Sequence, residues 1–287
     1  MNTKAMLTED QISTFNRDGV LIIKDFYDIE SDIAPIQRGI YDIIGHVFKK
    51  NRIPNNRKEF NREHFDVGFQ KLISANRSYG GEVYDAIKQI PAFYQLLSNP
   101  SHDLIFKQLR NNSIPGIAAG GYGIRIDNPF EDKYRAMWHQ EYPSQLRSVD
   151  GIVFWSPLVA VTKELGPVKF CLGSHHEGVL PVSVADPEQS GRSGAYALKL
   201  HDETSLINKY KEIAPLTEPG DLVLIDFLVL HASGHNVSKR SRWTLQFRYF
   251  NFSDPIGLSH GWKGSYAAGV DFCDIHPELL LPFEQGQ

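Results

Sequence analysis

Five histidines in this sequence are followed two residues later by a carboxylate, a spacing that can place an imidazole and an acid on one metal ion. On a β-strand, residues i and i+2 point to the same face, so both side chains can reach the ion. With 34 acidic residues and 11 histidines among 287 residues, about one such pair is expected by chance. The pairs are His64/Asp66, His139/Glu141, His175/Glu177, His201/Glu203 and His276/Glu278. The spacing by itself is therefore a weak signal, and sequence context has to select the pair.

Sequence context favours His139/Glu141. This pair lies in the segment AlaMetTrpHisGlnGlu, which is compatible with a strand and precedes an apolar run that ends in Trp155. Of the other pairs, His64/Asp66 lies in a charged segment, His201/Glu203 in a long polar insertion and His276/Glu278 beside a proline. Solvated or capping histidines are common in such places. His175/Glu177, in a turn after Gly173 and Ser174, remains a competitor.

A third ligand should come from a distant strand, because the fold rather than local sequence assembles a facial triad of two histidines and one carboxylate. His231 follows the run Leu222 to Leu230, which predicts one strand whose alternation puts His231 and Ser233 on one face. The next predicted strand carries Arg242 and Arg248 on a polar face. An antiparallel hairpin of these strands would set Arg242 across from His231 and Ser233. Taken singly, His231 could be a satisfied strand-end histidine and Arg242 a surface ion-pair residue.

The elements that must position these residues change character along the chain. A capping box at Thr8 and a helical spacing of isoleucines from Ile33 to Phe48 predict a mainly helical N-terminal part. From Gly116, short apolar segments separated by Gly, Pro, Asn and Asp predict strands that form a sandwich or jelly roll. We predict one domain over residues 1–287, with a helical part to about 112, a β core at about 113–255 and an extension at 256–287. Residues 182–211 form either a flap or a plain surface insertion.

Composition narrows the classes of partner. A formal net charge of -4 with intermixed signs favours a small-molecule substrate over nucleic acid or an anionic membrane surface. No run approaches the roughly 20 apolar residues of a membrane span, and the first residues do not resemble a signal peptide, so we expect a cytoplasmic protein. Cys171 and Cys273 are too few for a disulfide framework and are expected to be reduced.

The order of the sequence motifs between about Leu7 and Phe252 resembles that of the phytanoyl-CoA dioxygenase family of iron(II) and 2-oxoglutarate oxygenases. The resemblance lies in four segments: LTEDQISTFNRDGVLIIKDF, WHQE with the downstream DGIVFW, ELGPVKFCLGSH, and GDLVLIDFLVLHASGHNVSKRSRWTLQFRY. It implies a double-stranded β-helix (a cupin-like jelly roll) with N-terminal helices packed on one sheet. One departure is that the family usually has Asp where this chain has Glu141.

Carried onto this chain, the resemblance implies that His139, Glu141 and His231 hold Fe(II). It further implies that Ser233, Arg242 and Trp155 contact 2-oxoglutarate, and that O₂ is the oxidant. The expected reaction is hydroxylation of a small molecule with release of succinate and CO₂.

The substrate is expected to be anionic or hydroxyl-rich if Arg125 and Arg248 contact it, although both could instead form ion pairs at the rim. Two alternatives stay open. One is a non-catalytic jelly-roll module that binds a small molecule or carbohydrate, and the other is a cupin-like metal enzyme that does not use 2-oxoglutarate.

Overall fold

The N-terminal part of the protein is helical. The computed structural model describes residues 7–184, 198–264 and 271–282. The predicted capping box at Thr8 is confirmed, and the first helix ends at Gly19, whose φ of 72° is the left-handed conformation that glycine tolerates. A short π-helical segment, Ile29–Ile33, leads into the second helix. The helices of this part are α1 (Glu9–Asp18), α2 (Ala34–Lys50), α3 (Phe69–Ala75), α4 (Arg77–Ile87), α5 (Pro91–Leu97) and α6 (Pro100–Leu109).

Strands dominate from Pro115 onward, and one further strand lies between the first two α-helices. The strands are β1 (Val20–Ile23), β2 (Pro115–Ile117), β3 (Gly123–Asp127), β4 (Ile152–Pro157), β5 (Val168–Cys171), β6 (Val182–Val184), β7 (Leu198–Leu200), β8 (Glu212–Ile213), β9 (Leu222–Asp226), β10 (His231–Ser233), β11 (Arg242–Asn251) and β12 (Leu280–Leu281). Short helices lie between or after them: α7 (Tyr142–Gln145), α8 (Glu203–Asn208), α9 (Pro255–Ser259) and α10 (Phe272–Ile275).

The largest sheet is antiparallel and has the order β1-β9-β4-β11-β2, with β3 also paired to β11. Because side chains alternate along each strand, the sheet has two different faces. One face, which includes Phe154, Leu224 and Leu245, packs against the N-terminal helices in one apolar core. This arrangement confirms the predicted packing of helices on one sheet.

The opposite face of this sheet looks toward a smaller antiparallel sheet with the order β10-β5-β8. Val153, Trp155 and Ile225 of the large sheet form a second apolar cluster with Phe170 of β5. Beyond that cluster, β11 contributes polar side chains to the same face. The two sheets thus enclose an interior that is apolar in one part and polar in another. A third sheet pairs β6 with β7 and with β12.

Two local predictions are wrong. The run Leu222 to Leu230 is not one strand, because β9 stops at Asp226, whose Oδ1 accepts a hydrogen bond of 2.8 Å from the amide of Leu228 and turns the chain. The predicted hairpin of β10 and β11 does not form either. The two strands belong to different sheets, and β10 pairs with β5 instead.

The predicted flap at residues 182–211 is only partly covered, because residues 185–197 lie outside the described ranges. Its described ends are β6, β7 and α8, and whether the segment acts as a flap stays a prediction. Among the helices of the described ranges, none combines the length and the apolar character needed to cross a membrane.

Candidate metal centre

His139, Glu141 and His231 come together at the edge of the smaller sheet. One potential ligand atom from each lies within 4.8 Å of the others, and no other such group of three is present in the described parts of the chain. His139 forms an isolated antiparallel bridge with His231, with reciprocal backbone hydrogen bonds of 3.1 Å. The amide of Glu141 donates to the carbonyl of Phe227 at 2.8 Å. Backbone hydrogen bonds therefore fix the relative positions of all three residues.

The two imidazoles are oriented by backbone carbonyls. His139 Nδ1 lies 2.7 Å from the carbonyl oxygen of Met137, and His231 Nδ1 lies 2.9 Å from that of Val229. A carbonyl oxygen only accepts, so each Nδ1 carries the proton and each Nε2 keeps its lone pair. Burial lowers the pKa of His139, and burial together with the neighbouring His139 lowers the pKa of His231 to about 3. Both rings are neutral at pH 7, the form that binds a metal.

Glu141 does not continue a strand, as the i, i+2 pattern suggested, but immediately precedes α7. The helical turn brings the hydroxyl of Ser144 and the amide of Gln145 to its Oε1, at 2.9 and 3.3 Å. Arg248 of β11 donates to the same oxygen at 2.7 Å. Burial alone would raise the pKa of Glu141, but the charge and hydrogen bonds of Arg248 outweigh it and hold that pKa well below its ordinary value. The carboxylate is therefore charged and available as a ligand.

The triad lines a cavity of about 710 Å³, within the usual range for small-molecule sites. Trp155 and Ile225 of the large sheet and Ser233 of the smaller sheet also line it. On the side formed by the helices, Tyr84 and Tyr94 contribute aromatic surface. The cavity therefore joins the polar triad to an amphipathic wall.

A cluster of two arginines and one aspartate lies beside the cavity. Arg242 is 1% exposed and donates to Asp127 at 2.8 Å, to the hydroxyl of Ser233 at 2.9 Å and to the carbonyl of Gly166. Asp127 also pairs with Arg125 at 2.8 Å. Burial would raise the pKa of Asp127, but the two arginines lower it to about 2. The cluster thus carries one net positive charge.

The predicted cosubstrate residues differ in their access to the cavity. Ser233 and Trp155 line it, whereas Arg242 is not among its lining residues and lies behind Ser233. Within the described structure, Arg242 Nε and the hydroxyl of Thr244 are buried without hydrogen-bond partners. These two orphaned groups lie on the face of β11 that looks toward the smaller sheet.

The predicted substrate contacts are both engaged in ion pairs. Arg125 binds Asp127, and Arg248 binds Glu141, although both arginines also line the cavity. Asp127, Ser144 and Gln145 were not among the predicted site residues. Their signals were present in the sequence, since Asp127 stands two residues after Arg125 on a strand, and Ser144 and Gln145 stand three and four residues after Glu141.

Three of the four competing histidine pairs have other partners. The carboxylate of Asp66 binds Arg240 and the indole of Trp243. His175 contacts the carbonyl of Asn16, and His276 lies between the hydroxyl of Tyr142 and Glu278. These contacts stabilise local structure rather than form a cluster of ligands.

Comparisons with known proteins agree with the geometry. The family model described as "Phytanoyl-CoA dioxygenase (PhyH)" matches residues 15–244. The chain is 25% identical over 275 residues to the phytanoyl-CoA dioxygenase domain-containing protein 1 homolog of Dictyostelium discoideum, an alignment that covers 84% of this chain and 91% of that protein.

Solved structures with a similar fold include EctD from S. alaskensis with 2-oxoglutarate and 5-hydroxyectoine. That match has a TM-score of 0.58 at 16% identity and covers 89% of this chain and 80% of EctD. Another is the non-heme alpha ketoglutarate dependent carbocyclase SnoK from nogalamycin biosynthesis, with a TM-score of 0.55 at 14% identity, covering 87% of this chain and 86% of SnoK. At these identities the likeness establishes the fold.

Proposed function

This chain belongs to the phytanoyl-CoA dioxygenase family of iron- and 2-oxoglutarate-dependent oxygenases, and from that membership we propose that it hydroxylates a small-molecule substrate. The observation that carries the proposal is the triad, in which the half-buried His139 and the buried Glu141 and His231 bring two neutral imidazoles and one charged carboxylate together beside a cavity. A 2-His-1-carboxylate set is the usual donor set of non-haem iron(II) oxygenases.

The residues present fit iron(II). His139 and His231 would bind it through Nε2, because their Nδ1 atoms are held by carbonyl oxygens. Glu141 would bind it through Oε2, which lies 3.9 Å from His231 Nε2. When bound, iron(II) and 2-oxoglutarate supply the oxidation of a substrate C–H bond by O₂, with 2-oxoglutarate converted to succinate and CO₂.

The cluster of two arginines and one aspartate supports the binding of 2-oxoglutarate beside the triad. One net positive charge on Arg125, Asp127 and Arg242 matches the single charge of a distal carboxylate, and Ser233 gives a hydroxyl contact from the cavity wall. The orphaned Nε of Arg242 would gain a partner if a carboxylate entered beside it. In this proposal Ser233, Arg242 and Trp155 contact 2-oxoglutarate, with Trp155 on the cavity wall.

The proposed substrate is a small molecule, anionic or hydroxyl-rich. The cavity wall combines the aromatic rings of Tyr84 and Tyr94 with the cationic side chain of Arg125, which suits a partly polar ligand. EctD, which has a similar fold, was solved with 2-oxoglutarate and 5-hydroxyectoine.

We also propose that the two facing sheets form the jelly roll of a single domain over residues 1–287. The pairing of β10 with β5 opposite β9 and β4 supports this architecture. The helical part to about 112 and the extension at 256–287 would then flank the β core.

The test is the release of succinate from 2-oxoglutarate by the purified protein with Fe(II) and O₂, measured while candidate small molecules are screened. We expect turnover that a true substrate stimulates and that falls to background in Glu141→Ala. The proposal would be refuted if the wild type released no succinate with any of the molecules screened. Unchanged coupled turnover in Glu141→Ala would refute the assignment of Glu141 as ligand.

A further inference from the structure

Arg248 connects the large sheet to the carboxylate of the triad. We propose that it is a positioning residue, which fixes the carboxylate of Glu141 so that Oε2 alone faces the metal. This inference rests on the proposed function, because it concerns the same metal centre. It differs from the role expected for Arg248 from the sequence, which was contact with substrate.

The guanidinium of Arg248 approaches the carboxylate with two nitrogens. Nε donates to Oε1 of Glu141 at 2.7 Å, and Nη2 donates to Oε2 at 3.3 Å. Arg248 is itself held, since Nη1 donates to the carbonyl of Gly121 at 3.0 Å and Nη2 to the side-chain oxygen of Gln246 at 3.0 Å. A planar fork held on both sides determines the orientation of the carboxylate as well as its distance.

The two carboxylate oxygens of Glu141 differ in the hydrogen bonds that they accept. Oε1 accepts from Ser144, Gln145 and Arg248, which leaves it little capacity to bind a metal ion. Among the described hydrogen bonds, Oε2 accepts the 3.3 Å contact from Arg248, and it is the oxygen 3.9 Å from His231 Nε2. The carboxylate is therefore prepared to bind through one oxygen. Binding through one oxygen leaves three positions of an octahedral ion for the cosubstrates.

The hydrogen-bond count of Arg248 favours positioning over substrate contact. A guanidinium has five N–H donors, and the contacts to Glu141, Gly121 and Gln246 engage four of them. The side chain is 17% exposed and also lines the cavity. Its donors are used mainly within the protein.

The test is the affinity of the apoprotein for Mn(II), measured without substrate or 2-oxoglutarate, in the wild type and in Arg248→Lys and Arg248→Met. Lys keeps the positive charge but loses the two-point contact, whereas Met loses both. We expect about 10-fold weaker Mn(II) binding in the Lys variant and 10- to 100-fold weaker binding in the Met variant, the usual effect of losing a group that orients a ligand. A substrate contact would leave these affinities unchanged.

Arg110→Lys is the matched control. Arg110 also forms a mostly buried ion pair, with Asp226 at 2.6 Å and 12% side-chain exposure, and it has no contact with the triad. We expect this variant to keep wild-type Mn(II) affinity even where its melting temperature falls as far as that of Arg248→Lys. Equal losses of affinity in the two variants would mean that any buried arginine produces the effect, which would overturn the inference.

A second measurement reports how the carboxylate of Glu141 binds the metal. With Co(II) in place of Mn(II), a carboxylate that is free to rotate or chelate changes the coordination number and hence the intensity of the visible absorption. We expect the Co(II) spectrum of Arg248→Lys to differ from that of the wild type. Wild-type spectra and affinities in both Arg248 variants, or tighter binding in Arg248→Met, would overturn the inference while leaving the proposed function intact. Absence of Mn(II) and Co(II) binding in the wild type would instead overturn the proposed function.

Discussion

His102 of α6 is a buried histidine whose ionisation should control stability in acid. Its side chain is fully buried, with Nε2 2.7 Å from the hydroxyl of Tyr27 and its ring 4.6 Å from that of Phe154. Burial lowers the pKa of His102 from 6.5 to about 3. A charged imidazole at this position would lie between the helices and the large sheet with no acidic partner in the described contacts, so the folded state resists protonation.

The sign and size of the effect follow from the two pKa values. Because the folded-state pKa is depressed, the unfolded chain binds the proton first as pH falls. The contribution to stability is complete above pH 6.5 and is lost as pH falls toward 3. At about 1.36 kcal/mol per pKa unit, the full loss is about 5 kcal/mol, of which about 2 kcal/mol falls between pH 7 and pH 5.

The assay is urea unfolding of the apoprotein in chelator at pH 7 and pH 5, for the wild type and His102→Gln. The wild type also contains His139 and His231 with lowered pKa values, so its total loss exceeds the share of His102. The difference between the two proteins isolates that share, and we expect the variant to lose about 2 kcal/mol less than the wild type. Equal losses in both proteins would refute the assignment of His102 as a buried neutral base.

Two further substitutions test the region around Arg242. Asp127→Asn leaves two guanidiniums without their shared carboxylate and should lower the free energy of unfolding at pH 7 by about 3 kcal/mol in urea titrations; a loss below about 0.5 kcal/mol would contradict the ion-pair network. Gly166→Ala places a Cβ 2.5 Å from the carbonyl oxygen of His235, at a residue with a φ of 70°. We therefore expect the free energy of unfolding to fall by more than about 1 kcal/mol, which would appear as a lower melting temperature. A variant as stable as the wild type would contradict the close approach.

Parts of the fold and of the candidate site could be predicted from the sequence because several of their signals are short-range. The capping box at Thr8 and the left-handed Gly19 follow from short-range chemistry, and both are present. The alternation on β11 correctly placed Arg242 and Arg248 on the face opposite Trp243. The triad was identified by adding His231 to one of five similar pairs, and the geometry brings those three residues together.

The rest depended on long-range pairing that the pattern does not encode. The run from Leu222 to Leu230 is apolar at every position except Asp226, so the pattern of apolar residues does not mark the turn after Asp226 or the change of sheet before His231. The sequence pattern likewise did not predict that Arg248 pairs with Glu141. Arg248 and Glu141 are 107 residues apart along the chain, and only the tertiary fold brings them into contact.

The most direct test of the central claim is an anaerobic titration of the Fe(II)-loaded protein with 2-oxoglutarate, which follows the weak visible charge-transfer band of the chelate. If His139, Glu141 and His231 hold iron beside the arginine cluster, the wild type shows the band, and Arg242→Ala needs at least about 10-fold more 2-oxoglutarate to reach half of it, as expected for loss of a charge-assisted contact. A wild-type protein that binds Fe(II) and shows no band at any concentration of 2-oxoglutarate would contradict the claim.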